Sequence, residues 1–306
     1  MRILIVGCGV IGHVYARGLS GQGHEVTLLG RDPAALQRQQ RDGVEFVELR
    51  SGRRERLRFK YACGDPGSGH DLIMVAVRND HLTERVLTQI ARWVEESTQL
   101  LLFHLGFSGP RLLPAVLPAD RVLVGYAISV GGFWSDPGRS VCFDVPPGKN
   151  TAVGNLGGGI SDRAKEVARL FGDCGFACQL ARMPDNVYQT SALIATLAAF
   201  DRTCPALLDG RAAAEHCGLL GGAIGDALRV ATTMCGRPGR LSAHDFALVG
   251  AQQALEFSRL DPVSRTLLVR YFRGGGRSEV DKLYCELVAA ADELRVAAPV
   301  LSRLAA

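Results

Sequence analysis

Along the first half of this chain, short unbroken apolar runs alternate with segments whose apolar residues recur at helical spacing. Arg2-Ile3-Leu4-Ile5-Val6 is rich in β-branched residues and predicts a parallel strand buried on both faces. Ile11, Val14, Tyr15 and Leu19 then repeat at three and four residues, which predicts a helix over residues 11–20 that Gly21 and Gly23 end. A second strand is expected at residues 25–29, two short ones at 44–49 and 56–61 around the turn Ser51-Gly52-Arg53, and stronger ones at 71–77, 99–103 and 122–125. A helix with Leu82, Val86, Ile90 and Val94 on one face separates two of these. Strand and helix in alternation build a doubly wound parallel sheet, whose ligands sit beyond the carboxyl ends of the strands.

From about residue 184 the pattern changes and the β-branched runs disappear. Residues 187–200 carry no charge and read as a helix apolar on every side, the mark of a core or a buried interface. Gly218, Gly221, Gly222 and Gly225 suggest close helix packing. Arg237-Pro238-Gly239 breaks the chain, Ser242 suits an N-cap, and the last helix is expected at residues 278–294. The fold class is therefore α/β: an N-terminal Rossmann-type domain over residues 1–181 and an all-helical domain over 182–306. A homodimer through the apolar helices is expected.

Chemistry enters at the first turn. Gly7-Cys8-Gly9-Val10-Ile11-Gly12 leaves a strand and opens a helix within a βαβ unit of about thirty residues, the context that gives a GxGxxG its meaning. Gly7 permits the tight turn, Gly9 lets a pyrophosphate approach the backbone, and Gly12 allows close helix packing. The pyrophosphate sits on the free N–H groups at the helix start. The second strand ends in Gly30-Arg31-Asp32. Arg31 suits a 2′-phosphate, Gly30 leaves room for it, and Asp32 can cap the next helix, so NADPH is the expected cofactor. The strand-end rule also singles out Arg78 and His104. A second glycine-rich stretch, residues 154–159, lacks the GxGxxG order and reads as a loop between a short strand at 151–153 and a helix near Ser161.

Composition narrows the classes. The 306 residues are 47% hydrophobic and 22% charged with a net charge of +4, an ordinary globular balance that argues against disorder. The densest basic stretch, residues 50–58, is interrupted by Glu55 and holds no alternating aromatic, so it reads as a solvated hairpin tip and not a nucleic-acid surface. Nine cysteines lack CxxC or zinc spacing, no metal site is expected, and no apolar run reaches the length of a membrane span. A cytoplasmic protein acting on a small molecule is expected.

Taken together, these features resemble the ketopantoate reductase family over essentially the whole chain. The glycine turn and Arg31 match that family's NADPH fingerprint. Gly276-Arg277-Ser278-Glu279-Val280-Asp281 is similar to its GR-x-TEID signature, and Ala298-Pro299-Val300-Leu301 to its closing TPxL segment. The resemblance implies hydride transfer from NADPH to a 2-oxo acid, with a lysine on the first helix of the second domain as proton donor. That position falls at Thr190 here, the asparagine one turn later at Ile194, the strand-end lysine at Arg78, and the asparagine of the HNG segment at Leu105. Glu279, which contacts substrate hydroxyls in the family, is kept. Candidate proton donors are Glu279, His104 and Tyr188. Three readings follow: a reductase for a carbonyl, imine or enone less polar than ketopantoate; a dinucleotide-binding protein without redox chemistry; and ketopantoate reduction with relocated residues.

Overall fold

The computed structural model describes residues 1–115, 117–136, 138–157, 159–183, 185–204, 213–236, 243–273 and 277–305. The chain divides into two compact units, Met1–His104 with Ser108–Pro184 and Leu105–Phe107 with Asp185–Ala306.

The first unit begins β1 (Arg2–Val6), α1 (Val10–Gly21), β2 (Glu25–Gly30) and α2 (Pro33–Asp42). Then come β3 (Val44–Glu48), β4 (Arg54–Leu57), β5 (Lys60–Cys63), β6 (Leu72–Val75), α3 (Glu84–Ala91), β7 (Gln99–Phe103) and α4 (Ser108–Leu112). It ends with β8 (Val122–Ala127), β9 (Gly131–Asp136), β10 (Ser140–Asp144), β11 (Thr151–Asn155), α5 (Asp162–Asp173) and β12 (Cys178–Leu180). An eight-stranded sheet runs in the order β12-β11-β8-β7-β6-β1-β2-β5, parallel except where β11 lies antiparallel to β8. The central strands are apolar on both faces because both are covered: Ile3, Leu4, Ile5, Leu72, Ile73, Met74 and Leu100 to Leu102 are all at most 1% exposed. Tyr15 pins α1 to this sheet, stacked on Phe176 at 4.1 Å between ring centroids, with its hydroxyl 2.6 Å from Thr151 Oγ1.

A second sheet, β4-β3-β10-β9, was expected only as its β3–β4 hairpin; β9 and β10 escaped the sequence reading. The single strand expected at residues 56–61 is two. Arg54–Leu57 closes the hairpin with β3, and after buried Phe59 the chain crosses to the large sheet, where Lys60–Cys63 pairs with β2. The alternation of Arg56, Leu57, Arg58 and Phe59 fits one strand on its face, and only tertiary pairing separates the two. The hairpin tip is exposed from Arg50 to Arg54, as expected of its charge. Residues 154–159 are not all loop. Gly154 and Asn155 complete β11, since a Cβ on Gly154 would stand 1.9 Å from the Ala181 carbonyl oxygen, and the Asn155 carboxamide accepts from the Ser161 N–H.

The second unit contains α6 (Asp185–Thr203), α7 (Ala213–Met234), α8 (Ala243–Ser258), α9 (Pro262–Arg273), α10 (Arg277–Glu293) and α11 (Pro299–Ala305). α6 is buried round much of its circumference, with Val187, Ala192, Ala195, Leu197 and Phe200 inside. Three of the four glycines of α7 do what their spacing suggested: a Cβ on Gly221 would meet Ala251 Cα at 2.9 Å, one on Gly222 would meet Val300 at 3.1 Å, and the Gly225 backbone nitrogen lies 2.9 Å from where a Cβ on Gly250 of α8 would stand, whereas Gly218 faces open space. The last helix is α11 and not α10: the segment Ala298-Pro299-Val300-Leu301 opens it. Ser242, the Pro238 break and Gly276 lie outside the described residues. Among the described residues no helix is long and apolar enough to cross a membrane.

Candidate functional site

The glycine turn is built as a cradle. Gly7 sits at φ +121°, where an L side chain is strained, and a Cβ there would lie 2.5 Å from the Ala76 carbonyl oxygen, against the chain leaving β6. Gly12 would drive a Cβ to 2.2 Å from the carbonyl oxygen of Gly7, so this glycine closes the turn on itself more than it packs on the sheet. Gly9 is the opposite case: it is exposed, and nothing lies within 4 Å of the position its Cβ would take. It is also the N-cap of α1, and no side chain caps that helix. The first N–H groups of α1 and the positive end of its dipole therefore face an open notch that admits an anion and that any larger residue at position 9 would fill. Cys8, Val10 and Ile11 complete the turn, all three half-buried. These residues fit a dinucleotide pyrophosphate.

At the end of β2 one expectation changes. The space above Gly30 holds no phosphate-sized opening. A Cβ there would meet both Cys8 Sγ and a Leu36 methyl at 2.8 Å, so Gly30 makes room for protein. Arg31 is exposed beside it, and no hydrogen bond or ion pair holds its guanidinium among the described residues. Asp32 caps α2, its Oδ1 accepting from the N–H groups of Ala34 and Ala35 at 3.0 and 3.1 Å. The acidic residue that would accept a ribose hydroxyl is thus turned onto its own helix, and the basic one faces solvent.

The neighbouring strand ends carry the other candidates of this unit. Arg78 follows β6 at the N-cap position of a short 3-10 turn, Asn79–His81, its guanidinium 2.9 Å from Asp80 Oδ2. His104 follows β7 and is buried, its ring lying in the notch left by Gly109, where a Cβ would stand 2.4 Å from His104 Cε1. Strand order sets β6 beside β1 and β7 beside β6, so both residues leave the same edge of the sheet as the glycine turn.

Sequence reading missed His13, one residue past the fingerprint. It is completely buried, with Nδ1 2.9 Å from the Gly9 carbonyl and Nε2 3.0 Å from the Tyr61 hydroxyl, and its ring meets Trp134 edge-on at 5.1 Å. Burial lowers its pKa to about 4, so the ring is neutral and bridges the N-cap carbonyl of α1 to β5. A polar residue at an otherwise apolar helix position was the available signal.

In the second unit, Thr190 donates its hydroxyl to the Asn186 carbonyl at 2.7 Å, a back-bond along α6 that occupies its only proton. Ile194 is half-buried one turn on. Tyr188 is buried and stacks on Phe107, centroids 6.0 Å apart. Glu279, in the first turn of α10, is 6% exposed and accepts from the Tyr271 hydroxyl at 3.1 Å. Tyr271 precedes Glu279 by eight residues on another helix, which no local spacing reveals. Asp226 was missed for the same reason. Its Oδ2 accepts from the N–H groups of Val300 and Leu301 at 2.8 and 3.3 Å and its Oδ1 pairs with Arg229, which makes the closing Ala298-Pro299-Val300-Leu301 segment a structural anchor.

Comparison with known proteins agrees with this architecture. The family model described as ketopantoate reductase PanE/ApbA matches residues 3–156, just over half of the chain. A 2-dehydropantoate 2-reductase of Halobacterium salinarum is 25% identical over 315 residues, covering 100% of this chain and 97% of that protein. Among solved structures, D-mandelate dehydrogenase with NADH and anilino(oxo)acetate superposes with a TM-score of 0.77 at 18% identity, covering 99% of this chain and 96% of that one. The 2-dehydropantoate 2-reductase from Methylococcus capsulatus gives 0.76 at 19% identity, covering 99% and 94%. At those identities the solved structures establish the fold: a Rossmann-type sheet followed by a helical domain. With the family model spanning the glycine turn and the strand ends around it, this chain belongs to the ketopantoate reductase family, a family of oxidoreductases that act on a keto group.

Proposed function

We propose that the protein is an NADPH-dependent reductase for a carbonyl, or an equivalent C=N or conjugated group, on a substrate less polar than ketopantoate. The observation that carries the dinucleotide part is the contrast within the glycine turn: Gly7 and Gly12 are walled in by backbone, while Gly9 opens on an uncapped helix start. Exposed Arg31 beside Asp32, whose carboxylate is taken up in capping α2, favours a 2′-phosphate, and hence NADPH, through bidentate hydrogen bonds. Bound there, the reduced nicotinamide supplies the hydride.

The residues of the chain then have two tasks. One is to hold anionic groups, which suits Arg78. It is not a proton donor near neutrality, since a guanidinium keeps its proton up to about pH 12. The other is to deliver a proton to the oxygen that gains charge. Thr190 has its proton committed to Asn186, so Glu279 and His104 are the preferred donors, ahead of Tyr188. The lower polarity of the substrate rests on positions 190 and 194, where a back-bonded threonine and an isoleucine offer neither ammonium nor carboxamide. The mandelate dehydrogenase likeness makes aryl 2-oxo acids a reasonable class to try. The protein is further proposed to be a cytoplasmic homodimer, in keeping with exposed Leu248, Val249 and Leu255 on α8. A monomer mass in solution would sink the dimer.

The test is NADPH oxidation by purified protein with ketopantoate, with phenylglyoxylate and with a neutral aryl ketone. Faster turnover of the aryl compounds supports the proposal. Ketopantoate as the best substrate would mean that the family activity persists with relocated residues. Tight NADPH binding without turnover of any of them would favour a protein that keeps the dinucleotide site for structural or sensory ends, a reading to which the committed hydroxyl of Thr190 lends weight.

A further inference from the structure

Two thiols flank Gly30. Cys8, in the middle of the glycine turn, folds its Sγ to 2.8 Å from where a Gly30 Cβ would stand. Cys63, the last residue of β5, is the strand partner of Gly30, and its Sγ lies 4.0 Å from the Arg31 carbonyl oxygen. Residues paired across adjacent strands point their side chains to the same face, with backbones about 5 Å apart. Both sulfurs are therefore on one face of the sheet, over one glycine, and neither has a bulky side chain at position 30 between it and the other. The absence of a Cβ at position 30 is what lets the Cys8 thiol, beside Leu36, settle over the strand residue that pairs with Cys63.

From this geometry we infer that Cys8 and Cys63 form an oxidation site: a dithiol that a hydroperoxide converts to a disulfide, fastening the glycine turn to β5. Both are free thiols in the structure, and they differ in access: Cys63 is exposed and Cys8 is half-buried. Burial pushes the Cys8 thiol up to about 12, with the nearby Cys63 adding to it. The first step belongs to Cys63. Its thiolate attacks one peroxide oxygen, the O–O bond breaks, and a sulfenic acid and hydroxide result. The Cys8 thiol then surrenders its proton and attacks that sulfur, the S–O bond breaks, and the oxygen leaves as water. Overall two thiols lose two electrons and two protons, and one peroxide becomes two waters. A dithiol reductant reverses the change by exchange. The bond holds the two Cβ atoms about 4 Å apart and so ties Cys8, with Gly9 next to it, to β5. That tether constrains the notch at the start of α1. The bond itself is independent of the cofactor assignment; only its consequence, weaker dinucleotide binding, rests on that reading.

The experiment treats the full-length protein with hydrogen peroxide, blocks remaining thiols, and maps disulfides by mass spectrometry of the digest. In parallel it titrates NADPH against the reduced and oxidised forms. The expected result is a Cys8–Cys63 cross-linked peptide that dithiothreitol removes and Cys63→Ser abolishes, with NADPH affinity about tenfold or more lower in the oxidised protein and unchanged by peroxide in Cys63→Ser. No such peptide, or cross-links only among other cysteines such as Cys174 and Cys178, overturns the inference. A cross-link that leaves NADPH affinity intact overturns its effect on the cradle. Failure of the reduced protein to bind NADPH overturns the dinucleotide reading while the mapped bond still stands.

Discussion

Gly9 and Gly12 are three residues apart in one fingerprint, yet the same substitution should damage different properties. Gly9 has φ −81° and ψ −177°, extended backbone that alanine adopts freely, and no atom lies within 4 Å of the new methyl. Alanine at an N-cap costs about 0.5–1 kcal/mol relative to the better capping residues, offset by about 0.4–1 kcal/mol from a less flexible unfolded chain. Gly9→Ala should therefore melt within roughly 2 °C of the parent. Its methyl stands where a pyrophosphate must approach, so NADPH affinity should fall about tenfold to a hundredfold, or about 1.4–2.7 kcal/mol. Gly12→Ala places a methyl 2.2 Å from a backbone oxygen, roughly 1 Å inside ordinary contact, and a carbonyl of the same turn cannot rotate away. Overpacking of this kind costs about 1–3 kcal/mol, and the backbone partner puts it at the upper end. Thermal melts and NADPH titrations of both variants separate the two effects. A strongly destabilised Gly9→Ala, or one that binds NADPH like the parent, would refute the assignment of that open notch to the cofactor.

Other residues give equally direct checks. Arg31→Ala should reduce the preference for NADPH over NADH about tenfold, with NADH affinity little changed; equal losses for both cofactors would remove Arg31 from 2′-phosphate recognition. His13 is held neutral with its pKa lowered from 6.5 to about 4, so its contribution to stability is complete above pH 6.5 and is lost as the pH falls from 6.5 toward 4. Relative to His13→Gln, the parent should lose about 2–3 kcal/mol more between pH 7 and pH 4.5 in urea unfolding, and parallel pH profiles would contradict this. Asp226→Ala leaves Arg229 and the N–H groups of Val300 and Leu301 without their carboxylate and should destabilise the second unit by about 3 kcal/mol. Proteolysis near the C-terminus at parental rates would speak against it.

What could be read from the sequence follows the range of the forces involved. The βαβ unit at residues 2–29 was plain because strand hydrophobicity, glycine placement and helical period are local and agree. Asp32 as a helix cap was equally readable, its acceptor lying two and three residues from its donors. The second sheet was read only as its β3–β4 hairpin, because β10 finds its partner β3 about ninety-five residues upstream, and β9, which pairs with β10 alone, has a half-exposed pattern over Gly131–Asp136 that resembles a loop. Distance along the chain likewise hid the pairing of Asp226 with the start of α11, 74 residues on, whereas Tyr271 and Glu279 are only eight residues apart but stand on different helices, where no helical period relates them. Gly30 shows a subtler limit. A small residue announces that something comes close, but its identity, the thiol of Cys8 and a methyl of Leu36 in place of a phosphate, is set by the fold. Position 190 shows the reverse: threonine was evident as a departure from the resembled family, and only the structure shows its hydroxyl spent on the Asn186 carbonyl.

We propose that the glycine turn and Arg31 make an NADPH site in a chain of the ketopantoate reductase family. Calorimetric titration of the reduced, purified protein with NADPH and then with NADH tests it most directly. One NADPH should bind per chain, saturably and more tightly than NADH. No binding of either dinucleotide, or binding of NADH as tight as that of NADPH, would contradict it.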